Sequence, residues 1–284
     1  MQVRSYAKIN IGLRILGKRS DGYHELETLF QQIDFYDDLF FEPLPSQEIL
    51  LTCNAPACPT DDRNLIVRAA NLLKPFATSE HAGCRIHLIK RIPIGGGLGG
   101  GSSNAAVTLK ALNELWNCRK SQTELAALAA TIGADAAFFI FGGLALGEGK
   151  GEQITPLPHR PDYFGVLLIP DFSIATADVY RKLNLSLTLS MKSSIFKSFA
   201  SNLPPFAEWK FLFTNDLETV VLRDFTILRQ WVESFYQLGA FYAALSGSGS
   251  SVFGLFSTKE AAETAFKKLR DTGARTVVFR PMFT

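Results

Sequence analysis

Cysteine is scarce: Cys53, Cys58, Cys84 and Cys118 are the only four in 284 residues. That is too sparse for a disulfide-held fold, and no Cys-x-x-Cys pair suggests a zinc ribbon or redox centre. His81, Cys84 and His87 are spaced three apart, but the segment reads as a strand, where a three-residue step switches faces; structural roles are expected for them. An excess of one charge is also missing. Twenty-nine Lys and Arg against 27 Asp and Glu leave +2, without the basic footprint of a nucleic-acid or membrane-surface binder. Met1 to Leu13 lacks the apolar core of a signal peptide. The longest apolar run, Leu125 to Gly147, contains Asp135 and is broken by Gly133, Gly142 and Gly143, which predicts a buried helix-turn-helix and not a membrane span. A cytoplasmic protein is expected, with no nucleic-acid, membrane or obligate protein partner.

What is present is apolar side chain, 47% of the residues against 20% charged, enough for a sizeable core and incompatible with overall disorder. At about 150 residues per domain, the length fits one large or two ordinary domains. Val3 to Ile15 alternates apolar and polar residues, predicting a half-buried strand with Lys8 and Asn10 on one face, away from the apolar stripe. A second strand runs from Tyr23-His24 to about Phe35, and the proline-bearing stretch Glu42 to Asp62 reads as edge strand and loop. Helical spacing covers Asn64 to Phe76, a strand Arg85 to Ile92, and a helix Ala105 to Trp116. Ser121-x-x-Glu124 forms a capping box for a helix closed by Gly133. Beyond Gly149-Lys150-Gly151 a second module begins, with strands Tyr163–Ile169, Ala240–Leu245, Ser251–Phe256 and Ala274–Pro281. Its helices are read near Thr176–Leu183, Asn215–Leu222 and Thr226–Leu238, and after Ser257-x-x-Glu260. Leu185 to Trp209 has no clear pattern. The division into domains is placed at residues 1–152 and 153–284.

Six of the seven residues from Gly95 to Gly101 are glycine, lying between a strand and a helix. Such a loop can turn successive N–H groups toward an anion, and the following helix N-terminus adds about half a positive charge. A linker or a close backbone crossing could also be glycine-rich, but a linker would not be followed at once by hydroxyls, a cap and an amphipathic helix. The loop is therefore read as a phosphate site. A Walker A loop would need Lys and then Ser or Thr where Gly101 and Ser102 stand. The Rossmann spacing of Gly95, Gly97 and Gly100 is trivial at this glycine density, and the acids downstream, Glu114 and Glu124, lie on helices. Phosphate charge must then be met by dipoles, a hydroxyl-bound Mg²⁺ and distant cations such as Lys8. Asp135, a lone acid in an apolar run, suits either a structural ion pair or catalysis.

Together the Pro93-Ile94-Gly95 to Ser103 loop, the Ala7-Lys8-Ile9-Asn10 strand and the Leu245-Ser246-Gly247-Ser248-Gly249 loop resemble the GHMP kinase superfamily. Within it, Arg19-Ser20-Asp21-Gly22-Tyr23-His24 and Gly133-Ala134-Asp135 resemble the branch that phosphorylates 4-diphosphocytidyl-2-C-methyl-D-erythritol in non-mevalonate isoprenoid biosynthesis, and not the mevalonate or homoserine kinases. The resemblance spans essentially the whole chain. It implies a two-domain α+β fold, with a ribosomal protein S5 domain 2-like N-terminal domain, a ferredoxin-like C-terminal domain and the active site in the cleft between them. It also implies transfer of the γ-phosphoryl group of ATP, with Mg²⁺, to the C2 hydroxyl of the acceptor. Asp135 would be the general base and Lys8 its partner. Pro93, Gly95, Gly96, Gly97, Leu98, Gly99, Gly100, Gly101, Ser102 and Ser103 would hold the nucleotide phosphates. Asn10, Tyr23, His24, Thr176 and Tyr180 would form the cytidine pocket, and Gly247, Ser248 and Gly249 would lie near the acceptor's diphosphate. One departure is Ala136-Ala137, where this branch usually carries Val-Pro. No acidic residue stands out as a dedicated metal ligand. Another GHMP kinase acting on an acceptor without a nucleobase, or a silent ATP-binding protein on the same scaffold, are the competing readings.

Overall fold

The computed structural model describes residues 1–78, 82–183 and 196–283, which leaves out His81 and the first part of the unpatterned stretch from Leu185. Two compact units interleave along the chain. The first comprises residues 1–7, 35–94 and 99–142, and the second residues 8–34, 95–98 and 143–284. Two long strands, β1 (Gln2–Lys18) and β2 (His24–Leu44), contribute residues to both. β2 therefore runs well past Phe35, where the sequence pattern ends it.

In the first unit, Asp38–Leu44 of β2 pairs antiparallel with β4 (Gly83–Ile89), which pairs parallel with β3 (Ile49–Cys53). Its α-helices among the described residues are α1 (Leu65–Leu73), α2 (Gly100–Leu115), α3 (Gln122–Ile132) and α4 (Ala136–Phe141). Asn64 caps α1 by accepting from Ile66 N, and the Ser121/Glu124 capping box opens α3 as its sequence predicts. Small residues on α2, among them Ala105, Ala106 and Ala111, let neighbouring helices approach closely, and Leu109, Leu112, Trp116 and Phe138 fill the core. Cys84 is buried while His87 is exposed, on opposite faces of β4. Among the described residues no helix is long and apolar enough to cross a membrane.

In the second unit, Leu26–Gln31 of β2 pairs with β5 (Leu144–Gly149), and β5 with β6 (Gln153–Pro156). A separate antiparallel sheet has the order β10-β7-β9-β8, formed by Arg275–Phe279, Phe164–Ile169, Val252–Phe256 and Tyr242–Leu245. Helices α5 (Thr176–Lys182), α6 (Phe206–Leu212), α7 (Glu218–Asp224), α8 (Thr226–Gln237) and α9 (Lys259–Leu269) belong to this unit. α8 lies against β8 and β9, and α9 against β7, β9 and β10. Burial of Leu228, Trp231, Phe235, Ala262, Ala265 and Leu269 under that sheet supplies its apolar driving force. Two local readings change. α9 is capped by Thr258, not Ser257, and α6 begins in the stretch without a pattern and runs three residues past its end. Its Trp209 is buried among Tyr163, Phe206, Phe213, Phe241 and Tyr242, a packing requirement that helical periodicity does not reveal.

Candidate active site

Alternation places Lys8 and Asn10 on one face of β1, but that face is not open. Lys8 is 5% and Asn10 2% exposed, so the strand is buried on both sides there. A buried ammonium is tolerated only if it is well hydrogen-bonded. Lys8 Nζ donates to Asn10 Oδ1 over 2.6 Å and to the Gly97 carbonyl over 2.9 Å. Asn10 Nδ2 donates to Thr28 Oγ1 at 2.9 Å, and the Thr28 hydroxyl to the Gly12 carbonyl at 2.6 Å.

The two glycine-rich loops of the second unit meet beside this lysine. Gly97 has φ +77°, and a Cβ there would lie 2.0 Å from the Ser246 carbonyl oxygen and 2.9 Å from that of Gly249; only glycine fits. Ser246 Oγ donates to the Gly97 carbonyl at 2.9 Å, and Ser251 N to the Gly96 carbonyl at 3.2 Å. Lys8 N donates to the carbonyl of Leu98, whose side chain is buried. A Cβ on Gly247 would stand 3.2 Å from Asn10 Oδ1 and 3.7 Å from Lys8 Nζ. The structure thus brings together Lys8, Asn10, Gly96–Leu98 and Gly247.

Two residues that the sequence does not single out hold the second loop. Asn215 Nδ2 donates to the carbonyls of Leu245 (3.0 Å) and Gly247 (2.8 Å), while Glu218 Oε1 accepts from Leu245 N at 2.7 Å. Burial pushes the Glu218 carboxyl up to about 7, against the opposing pull of that hydrogen bond. Ser248 Oγ lies 2.7 Å from Thr176 Oγ1 at the start of α5. One turn further, Tyr180 stacks on His24, with centroids 4.9 Å apart and planes at 28°. Burial, aided by Lys18, lowers the His24 pKa, favouring the neutral ring, and burial pushes the Tyr180 phenol up to about 12. Tyr23 is 58% exposed beneath the Lys150 ammonium, 4.6 Å from its ring centroid.

Pro93 and the remainder of the glycine run belong to the first unit, and the helix starts earlier than Ala105. Gly99, at φ +68°, is the N-cap, so Gly100 to Asn104 form the opening of α2. Ser103 is 1% exposed; its hydroxyl accepts from Ser5 Oγ at 2.7 Å and donates to the Tyr6 carbonyl at 2.6 Å. What Ser103 presents to a ligand is backbone. Asp37 is another residue that sequence reasoning misses. Fully buried, it accepts from Lys90 Nζ, Arg91 N (2.6 Å), Ile92 N (2.8 Å) and Asn104 Nδ2 (3.0 Å). The sequence pattern ends the strand at Phe35 and so leaves Asp37 without a signal. Asp135 is half-buried at the N-cap position of α4. It belongs to the first unit and Lys8 to the second. Ala136 and Ala137, the residues that depart from Val-Pro, are buried in the first turn of α4.

Comparison with known proteins gives the family and the fold. The family described as GHMP kinases N terminal domain matches residues 64–143, and GHMP kinases C terminal matches residues 195–275. The chain is 42% identical over 275 residues to a 4-diphosphocytidyl-2-C-methyl-D-erythritol kinase from Prosthecochloris aestuarii, covering 96% of this chain and 94% of that one. The chain belongs to the GHMP kinase family. A second relative, a 4-diphosphocytidyl-2-C-methyl-D-erythritol kinase from Chlorobium limicola, is 40% identical over 100% of this GHMP kinase and 98% of its own length. A solved 4-(cytidine 5'-diphospho)-2C-methyl-D-erythritol kinase superposes with a TM-score of 0.83 at 34% identity, with both chains covered in full. A mevalonate kinase from Methanococcus jannaschii shares the fold, with a TM-score of 0.74 at 18% identity over 99% of this chain and 98% of that one. The fold is the two-domain α+β fold of the GHMP kinases.

Proposed function

We propose that this GHMP kinase transfers the γ-phosphoryl group of ATP to the C2 hydroxyl of 4-diphosphocytidyl-2-C-methyl-D-erythritol, giving the 2-phosphate and ADP. Full-length relatives at about the same identity, all named for that acceptor, support the substrate. The structural observation that carries the chemistry is the buried Lys8 ammonium, held by Asn10 and Gly97 where the two glycine-rich loops touch. The two matched family regions fall on either side of residue 152, which supports the sequence division into 1–152 and 153–284.

In this reading Asp135 takes the proton of the C2 hydroxyl as its oxygen bonds to the γ-phosphorus and the bond to the β-phosphate oxygen breaks, releasing ADP. Lys8 offsets the negative charge that gathers on the transferring group. Gly95 to Ser103 bind the nucleotide phosphates through backbone N–H groups and the start of α2. His24 and Tyr180, already stacked, form with Tyr23, Thr176 and Asn10 the recess for the cytosine ring and ribose, and Gly247 to Gly249 approach the diphosphate. Among the described residues no group of three or more His, Cys, Asp or Glu side chains could hold a metal ion. The Ser102 hydroxyl, beside the phosphate loop, is the side chain that would help hold Mg²⁺, which would supply charge neutralisation.

The test is ATP consumption by the purified protein with Mg²⁺ and each of four acceptors: 4-diphosphocytidyl-2-C-methyl-D-erythritol, methylerythritol 4-phosphate, mevalonate and homoserine. Turnover confined to the cytidylated acceptor is expected. Equal use of an acceptor without cytidine removes the proposed pocket, and ATP binding without turnover of any acceptor removes the kinase assignment.

A further inference from the structure

Thr28 is fully buried in β2, and its hydroxyl has a single hydrogen to give. The Gly12 carbonyl, 2.6 Å away, can only accept, so that hydrogen is committed there. Toward Asn10, the hydroxyl oxygen can then only accept. Asn10 must turn its NH₂ to Thr28, which leaves its carbonyl oxygen facing Lys8 Nζ at 2.6 Å. An ammonium only donates, so both ends of the chain demand the same amide orientation. Gly12 is itself fixed, because its N–H donates to the Tyr242 hydroxyl at 3.0 Å and that hydroxyl donates to the Phe213 carbonyl at 2.9 Å.

We propose that Thr28 is a positioning residue for phosphoryl transfer: its hydroxyl sets the orientation of the Asn10 amide and, through it, the seat of the Lys8 ammonium. Without the hydroxyl, Asn10 has a buried NH₂ lacking its acceptor, and an amide flip would aim that NH₂ at a cation. Either outcome displaces Lys8 and disturbs Asn10 at the edge of the acceptor recess, while the nucleotide loop keeps the Ser246 hydroxyl on its Gly97 carbonyl. Thr28 is remote from the nucleotide in this scheme, so the loss falls on the chemical step and the seating of the acceptor, and not on ATP binding. The inference rests on the catalytic reading of Lys8.

The experiment compares Thr28→Val, Thr28→Ser and Thr28→Cys for kcat, both KM values and Tm, with Lys8→Met alongside. Valine keeps the shape and removes the hydroxyl. A fall in kcat of about tenfold is expected for Thr28→Val, with the KM for ATP within about twofold of the parent. Serine, which keeps the hydroxyl, should restore most of kcat, and cysteine, a weak donor and acceptor, should fall between. Parental kcat in Thr28→Val, or serine as defective as valine, overturns the proposal. A Tm loss without a kcat change means the hydroxyl is only structural and also overturns it. Should the valine variant not fold, the serine and cysteine variants decide: equal kcat in the two refutes the ordering. Parental activity in Lys8→Met would instead overturn the reading of Lys8 itself, a result distinct from every Thr28 outcome.

Discussion

Asn104 Nδ2 donates to Asp37 Oδ2 across 3.0 Å, joining the first turn of α2 to the middle of β2. The same carboxylate holds Arg91 N and Ile92 N through its other oxygen. One buried group therefore grips the chain just before the glycine run and just after it. Asp37→Asn would put an NH₂ among donors that need acceptors, and would leave Lys90 without its counter-charge. Breaking such a buried pair costs about 3–5 kcal/mol. A lower Tm and a KM for ATP raised about tenfold, with a smaller change in kcat, are expected. An unchanged KM for ATP in folded protein would show that the loop does not depend on this anchor.

Asp135→Asn keeps the size of the side chain and removes its capacity to take a proton. A loss in kcat of ~10²–10⁴-fold is expected, the range of a general base, with KM for ATP nearly constant. Steady-state kinetics with saturating acceptor check this. A large rise in KM at unchanged kcat would assign Asp135 to binding.

Gly97→Ala and Gly273→Ala separate backbone strain from collision. Both glycines have positive φ, +77° and +83°, but a Cβ on Gly273 meets nothing within 4 Å, whereas one on Gly97 meets the Ser246 carbonyl at 2.0 Å. Gly273→Ala should cost about 1–3 kcal/mol in denaturant unfolding and leave kcat alone. Gly97→Ala should cost more and abolish most activity, because the two loops must part. Equal behaviour of the two variants would contradict the close approach.

Stability should fall with rising pH because of Glu218. Its folded-state pKa of about 7 lies above the ordinary 4.5, so the folded chain binds the proton more tightly than the unfolded one. The contribution is fully present below pH 4.5 and is lost as the pH passes 7, a change of roughly 3 kcal/mol. Its titratable neighbours are Tyr236 and Tyr242, both shifted upward, mainly by burial. Glu218→Gln keeps an oxygen for Leu245 N and should flatten the stability profile between pH 4.5 and 7.5, measured by Tm. A profile as steep as the parent's would place the titration elsewhere.

Patterns that act over a few residues were readable in the sequence: the alternation of β1, the capping box of α3 and the glycine run. The start of α2 was not, because glycine disfavours helix by about 1 kcal/mol. Here close packing overrides propensity, since a Cβ on Gly100 would lie 2.8 Å from both Ile92 Cγ2 and Lys90 Nζ. Nor could the sequence reveal that Lys8 and Asn10 face inward. Alternation separates faces but does not say what covers them, and the cover comes from Gly97 and Gly247, some 90 and 240 residues away. Asp37, Asn215 and Glu218 were missed for the same reason. Each is an ordinary polar residue until its distant backbone partners are known.

The enclosure of Lys8 bears on chemical labelling. Its ammonium and that of Lys90, whose side chain is 7% exposed against Asp37, are shielded from amine-acylating reagents, while Lys197 and Lys259 at 59% and 65% are open to them. Reagents of that class should coat the surface lysines first and reach Lys8 only as the fold opens, so the acylation of this one side chain reports unfolding more directly than it reports access to the site.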